Sequence, residues 1–213
     1  MGVGGVGSWC AEALVRTGVG HLTLMDDDVV AASNVNRQCP ATSKTIGRPK
    51  VEALAERLRE INPAADIIPI PQRYPSHLSA PSPTSTLSTF STLSTLLLID
   101  AIDSVDCKAR LILDAFAAGV PVLSSMGAAL RTDPTKVRVT RFEKVEGDGL
   151  ARALRQRFRK LGEFPGKFSC VWSAEQPGRI APDQPKGSLM PVTATFGMCL
   201  AAEALRLLGK EED

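Results

Sequence analysis

The sequence predicts a Rossmann-like, doubly wound α/β fold: a mostly parallel sheet with helices on both faces. Three observations predict it. Strand-like and helix-like segments alternate along most of the chain, the pattern of strand–helix–strand packing. The strand-like stretch at 96–99 is an unbroken apolar run, as parallel strands covered on both faces show. Finally, the glycine-rich turn Gly2-Val-Gly-Gly-Val-Gly7 opens directly into a helix, where such folds bind phosphate.

Taken in order, Ser8 reads as the N-cap of a helix over about 9–17, and Gly18 as its stop. A strand at 21–25 ends in Asp26-Asp27-Asp28. Pro49 begins a second helix, with Val51, Leu54, Ala55, Leu58 and Ile61 at helical spacing, and Pro63 closes it. Short strands are expected at 66–70 and 96–99. A helix over about 105–118 follows, capped by Gly119, and then a strand at 120–123. Residues 136–142 alternate apolar with polar side chains, as a strand with one wet face does. A basic helix at 150–161, a Pro/Gly-rich loop at 176–191 and a helix at 192–208 complete the chain, which ends in Glu211-Glu-Asp213.

Composition supports one packed domain over 1–213. The 213 residues are 44% hydrophobic and 23% charged, with formal net charge +2, values that exclude a coiled coil, a collagen-like chain and wholesale disorder. No uninterrupted apolar run approaches the ~20 residues of a bilayer span, and no leader of basic then apolar residues opens the chain. The five cysteines are scattered without a C-x-x-C pair, so they read as free thiols rather than zinc ligands. Fifteen of the twenty-one residues at 75–95 are Ser, Thr or Pro, and none is charged. That composition buries too little apolar surface to order itself, so it reads as a flexible surface insert.

Three constellations carry chemistry. The glycines Gly2, Gly4, Gly5 and Gly7 let backbone N–H groups approach a phosphate at a helix N-terminus. Asp26, 24 residues after Gly2, ends the next strand, where a carboxylate can accept ribose hydroxyls. The segment Asn34-Val-Asn-Arg37-Gln38 and the helix-start Lys50 add two cations. A hydride-transferring enzyme has no need of them, but an adenylating one does, since charge builds on the α-phosphate and the leaving pyrophosphate. Asp100 and Asp103 follow the apolar run at 96–99, at the sheet edge where ligands of open α/β folds sit. Carboxylates there suit magnesium held beside a triphosphate.

These residues resemble the ThiF/MoeB superfamily, which includes ubiquitin-activating enzymes. Its carriers here are GVGGVGSWCAEALVRTGVGHLTLMDDD, SNVNRQ, IGRPKVEALAERLREINP and IDAIDS. DPTKVRV, SCVWSAE and PVTATFG point within it to the tRNA threonylcarbamoyladenosine dehydratase branch. The resemblance implies activation of a carboxylate with ATP and Mg2+, then ring closure with net loss of water, on tRNA carrying threonylcarbamoyl-adenosine. It further implies phosphate contacts from the glycine turn, Asn34, Arg37 and Lys50, ribose binding by Asp26, and metal binding by Asp103. A homodimer is implied too, in a cytoplasmic or mitochondrial setting. Cys170 matches a cysteine position of that branch. The alternatives are activation of a ubiquitin-like or sulfur-carrier protein, or an inactive homologue serving as an interaction module.

Two further expectations come from the residues. Between Arg131 and Lys167 there are eleven Lys/Arg against five Asp/Glu, and Arg152, Arg155, Arg157, Arg159 and Lys160 cluster on one helix, a candidate grip for tRNA phosphates. Few aromatics accompany it, so base stacking is not expected there. Because Met1 alone precedes Gly2, the chain reads as N-terminally truncated relative to the family. It is therefore expected to lack the first, central strand of the sheet, and to fold and act weakly on its own.

Overall fold

A computed structural model describes residues 1–75, 97–178, 181, 184 and 187–209. The expected insert, except Pro75, and the acidic tail lie outside these residues.

Six strands and five helices were found among the described residues. Helix α1 (Gly7–Arg16) is followed by β1 (His21–Met25), α2 (Lys50–Ile61) and β2 (Asp66–Ile70). Then come β3 (Leu98–Asp100), α3 (Val105–Ala117), β4 (Val122–Ser125) and β5 (Val137–Arg141). Helix α4 (Gly149–Leu161), β6 (Ser169–Ser173) and α5 (Met190–Leu208) finish the chain. Strands β1 and β2 pair in parallel; the other four lie in the order β3-β4-β6-β5. There β3, β4 and β6 are parallel and β5 is antiparallel to β6, so the sheet is mostly parallel as predicted.

The sheet is interrupted between β1 and β3. Among the described residues, Met1 and Gly2 bridge the gap: Gly2 donates to Met25 at 2.8 Å, the Met1 amino group donates to Ile99 at 2.9 Å, and Ala101 donates back to Met1 at 2.9 Å.

Successive residues of the strands feed opposite layers, because side chains alternate across a sheet. Val122 and Cys170 pack with Leu111, Ile112, Leu154 and Phe158 under α3 and α4. Their neighbours Leu123 and Val171 pack with Cys10, Leu14, Phe196 and Leu200 under α1 and α5. A third cluster joins α1 and α2 to β1 and β2 through Val15, Leu24, Val51, Leu54, Leu58 and Ile67. Helix α5 alone among the described helices has the length and apolarity of a bilayer span. Its apolarity is used in packing: Val192, Phe196, Leu200 and Ala204 are fully buried against α1 and the sheet.

Two local expectations are corrected, and one strand is new. Ser8 does not cap α1; it lies inside the helix, and its hydroxyl donates to Gly4 and accepts from Cys39. Helix α5 starts two residues early, at Met190, with Pro191 in its first turn, a position where a missing N–H costs nothing. The strand β6, unforeseen, lies in the interior of its sheet between β4 and β5.

Candidate active site

One cavity of about 860 Å³ opens at the interrupted sheet, lined by the glycine turn, the ends of β1, β2 and β3, and the start of α4. Of the residues proposed from sequence, Gly2, Gly4, Gly5, Asp26, Asn34, Arg37, Lys50 and Asp103 all line it. Gly7 does not, and its role is to shape the turn. A Cβ on Gly7 would lie 1.9 Å from the Gly2 carbonyl oxygen, and one on Gly2, which has φ +76°, would lie 2.8 Å from Ala101. The turn therefore closes on itself and on the β3 loop with no room for side chains. Gly4, Gly5 and Val6, just ahead of α1, line this cavity, while the Ser8 N–H is taken by the Gly4 carbonyl at 3.1 Å.

Asp26 is tied on both oxygens: Val3 donates at 2.8 Å and Asp28 at 2.9 Å. Its carboxylate is thus fixed at the end of β1, and oxygens of Asp26, Asp27 and Asp28 lie within 4.8 Å of one another. Lys50 is buried, and its ammonium contacts Asp28 at 2.6 Å. The Asn34 side chain accepts from Ala31 at 3.0 Å and so closes the turn before Arg37. Arg37 donates to Ser33 and Asn36, while its stem covers Gly5. Beside it, the buried Gln38 lines the cavity with an Oε1 atom that has no partner among the described residues. A buried orphan acceptor of this kind ordinarily meets a donor when a ligand or water is present.

The two carboxylates beyond β3 differ sharply. Asp100 is fully buried and bound to the equally buried Lys108 at 2.6 Å, to Ser124 at 2.6 Å and to the Ile102 N–H at 3.1 Å. It is therefore unavailable to a metal, which corrects the reading of Asp100 and Asp103 as a pair. Asp103 is exposed to the cavity and makes no hydrogen bond or ion pair among the described residues. The Asp100 network instead anchors the loop that carries Asp103.

At the opposite end, Arg131 and Asp148 form a second buried pair at 2.8 Å. Asp148 also caps α4 through the Ala151 N–H and holds Gly127 at 3.2 Å, which fixes the wall formed by 126–131. Sequence reading gave no individual role to Asp28, Gln38, Arg131 or Asp148. Gln38 alone carried a local signal, since it closes the motif that begins at Asn34.

The remaining candidates lie elsewhere. Cys170 is fully buried under α4, and burial pushes its thiol up to about 12. On α4, Arg155 donates to Phe142 and Val145 and stacks over the Phe142 ring, and Arg157 pairs with Asp106 at 2.7 Å. Arg152, Arg159 and Lys160 are exposed.

Fold and cavity together define an α/β protein of the nucleotide-binding class, with a glycine turn, the Arg37 and Lys50 cations, the fixed Asp26 carboxylate and the Asp103 carboxylate in one space. A sequence profile of the ThiF family matches residues 1–213, and the chain belongs to that family. It is 37% identical to the tRNA threonylcarbamoyladenosine dehydratase of Bacillus subtilis over 183 residues, 86% of this chain and 68% of that protein. The structure of the Escherichia coli tRNA N6-threonylcarbamoyladenosine dehydratase in complex with ATP superposes with a TM-score of 0.86 at 36% identity, covering 99% of this chain and 85% of that one. The Escherichia coli molybdopterin-synthase adenylyltransferase is 31% identical over 98% of this chain and 71% of that protein.

Proposed function

We propose that this chain uses ATP to dehydrate and cyclise threonylcarbamoyl-adenosine in tRNA through an adenylated carboxylate. The observation that carries the reading is the convergence of Gly2, Gly4, Gly5, Asp26, Arg37, Lys50 and Asp103 on one cavity, in a chain 37% identical to a dehydratase of that name.

The chemistry follows from the parts. The substrate carboxylate attacks the α-phosphorus of ATP, and pyrophosphate leaves. Arg37 presents a planar fork and Lys50 a compact ammonium to the charge that grows on those oxygens. For Lys50 to reach a phosphate it exchanges Asp28 for that oxygen, which keeps the ammonium paired throughout. Asp26 holds the ribose, and the α1 N-terminus and glycine turn hold the phosphates. Asp103, exposed and free of partners among the described residues, would hold Mg2+, which supplies positive charge beside the triphosphate. An internal nitrogen of the substrate then attacks the acyl carbon, and AMP leaves carrying one carboxylate oxygen, so one water is lost overall. This cyclisation needs no protein thiol, in keeping with the burial of Cys170. A homodimer belongs to the same reading.

A second reading, adenylation of a carrier protein's C-terminal carboxylate, has support in the 31% identity to a molybdopterin-synthase adenylyltransferase. The two separate in one assay: ATP, Mg2+ and tRNA bearing threonylcarbamoyl-adenosine are incubated with the protein and the nucleosides weighed. The modified nucleoside loses one water, and Asp103→Asn slows this by about a hundredfold or more. An unchanged nucleoside, with ATP–pyrophosphate exchange that depends on an added carrier protein, would overturn the proposal.

A further inference from the structure

We infer that the exposed face of α4, together with Phe164 beyond its end, is a binding track for single-stranded RNA that leads into the active-site cavity. The inference rests on the RNA-directed reading above and separates, within the basic cluster of α4, the cations left for RNA from those the fold uses.

Helix α4 carries five cations and no carboxylate in thirteen residues, yet the fold consumes two of the five. Arg155 is spent on the Phe142 and Val145 carbonyls and Arg157 on Asp106. What remains is ordered: Arg152, Gln156, Arg159 and Lys160 are all exposed, and steps of three and four residues put them on one helical stripe. The stripe spans about 12 Å along the axis, long enough to meet more than one backbone phosphate. Its buried side, Ala151, Leu154 and Phe158, is fully packed, so the track is rigid.

Both ends of the stripe point to a nucleic-acid strand. At the N-terminal end, Gly149, Leu150 and Ala153 line the cavity, so Arg152 lies within one helical turn of its wall. At the C-terminal end, Phe164 is 68% exposed, with its ring 6.2 Å from that of the buried Phe158. An exposed aromatic ring four residues beyond the last cation of such a row is suited to unpaired bases, as the cations are to their backbone. Phe164 lies beyond the end of α4, outside the basic cluster for which no stacking was expected. Glu163 is exposed beside it, and its charge favours approach from the Lys160 side.

The test measures binding of a labelled hairpin RNA with an unpaired loop to the full chain across a salt series, without ATP. Arg152→Gln/Arg159→Gln/Lys160→Gln, at exposed positions, is expected to weaken binding about tenfold or more and to flatten the slope of log affinity against log salt by about 2. Phe164→Ala is expected to weaken it about five- to a hundredfold with the slope unchanged. ATP affinity without RNA should stay constant in both variants and serves as the folding control. Parental affinity and salt slope in the triple variant would overturn the track, as would failure of the unaltered chain to bind the hairpin. Binding that depends on these residues, in a protein that leaves the modified nucleoside unchanged, keeps the track and removes the dehydratase reading.

Discussion

Replacing Lys108 by Met tests whether a buried ion pair holds the loop that carries Asp103. The Lys108 ammonium spends its three N–H bonds on Asp100 at 2.6 Å, Ser124 at 3.2 Å and the Ser125 carbonyl at 3.0 Å, and both charged side chains are fully buried. Methionine fills much of the same volume but leaves the Asp100 carboxylate with only the Ser124 hydroxyl and the Ile102 N–H. Breaking a buried pair in this one-sided way costs about 3–5 kcal/mol. For a chain of this size each kcal/mol lowers Tm by about 2–4 °C, so the drop should be about 6–20 °C by calorimetry. In Asp100→Leu/Lys108→Met no charge is left unpaired, so most of that loss should return. A single variant within about 2 °C of the parent, or a double variant that sums the two single losses, would refute the reasoning.

Gly7→Ala should abolish ATP binding measured by calorimetry, because the new Cβ would lie 1.9 Å from the Gly2 carbonyl oxygen; micromolar binding retained would show that the turn can open. Burial alone would favour neutral Glu12, but hydrogen bonds from Arg57, Cys39 and Arg16 outweigh it and hold the carboxyl at about 2, below its ordinary 4.5. Glu12 therefore contributes stability that is present above pH 4.5 and lost as pH falls toward 2, about 1–2 kcal/mol once the half-exposed Arg57 is discounted. Acid titration of Glu12→Gln should show a correspondingly shallower loss, and an unchanged curve contradicts the assignment. Cys170, with its thiol at about 12, should resist iodoacetamide at pH 8 in the native protein. Cys170→Ala should keep its turnover, and a fall of more than about tenfold would give the thiol a role after all.

The sequence was most informative where local chemistry decides the outcome. Pro49 and the apolar spacing of Val51, Leu54 and Leu58 mark α2 because helix entry and amphipathic packing are written within one segment. The glycine turn is legible for the same reason. Strand β6 was not, since Ser169–Ser173 is short and its place between β4 and β5 depends on partners far away in the chain. Asp100 and Asp103 look alike in sequence; what separates them is Lys108, which arrives one helical turn into α3 and claims the first carboxylate only. Arg155 and Arg157 likewise read as free surface charge until the Phe142 carbonyl and Asp106 are brought beside them. Asp28 escaped notice because its meaning lies in the Lys50 ammonium, 22 residues later.

The most direct test follows the carboxylate oxygen. Threonylcarbamoyl-adenosine labelled with heavy oxygen in its carboxylate, within tRNA, is turned over in ordinary water with ATP, and the nucleotide products are weighed. If nucleotidyl transfer activates the acid, one heavy oxygen appears in AMP and none in pyrophosphate. Heavy oxygen in inorganic phosphate with ADP as co-product, or AMP that carries none, would contradict it.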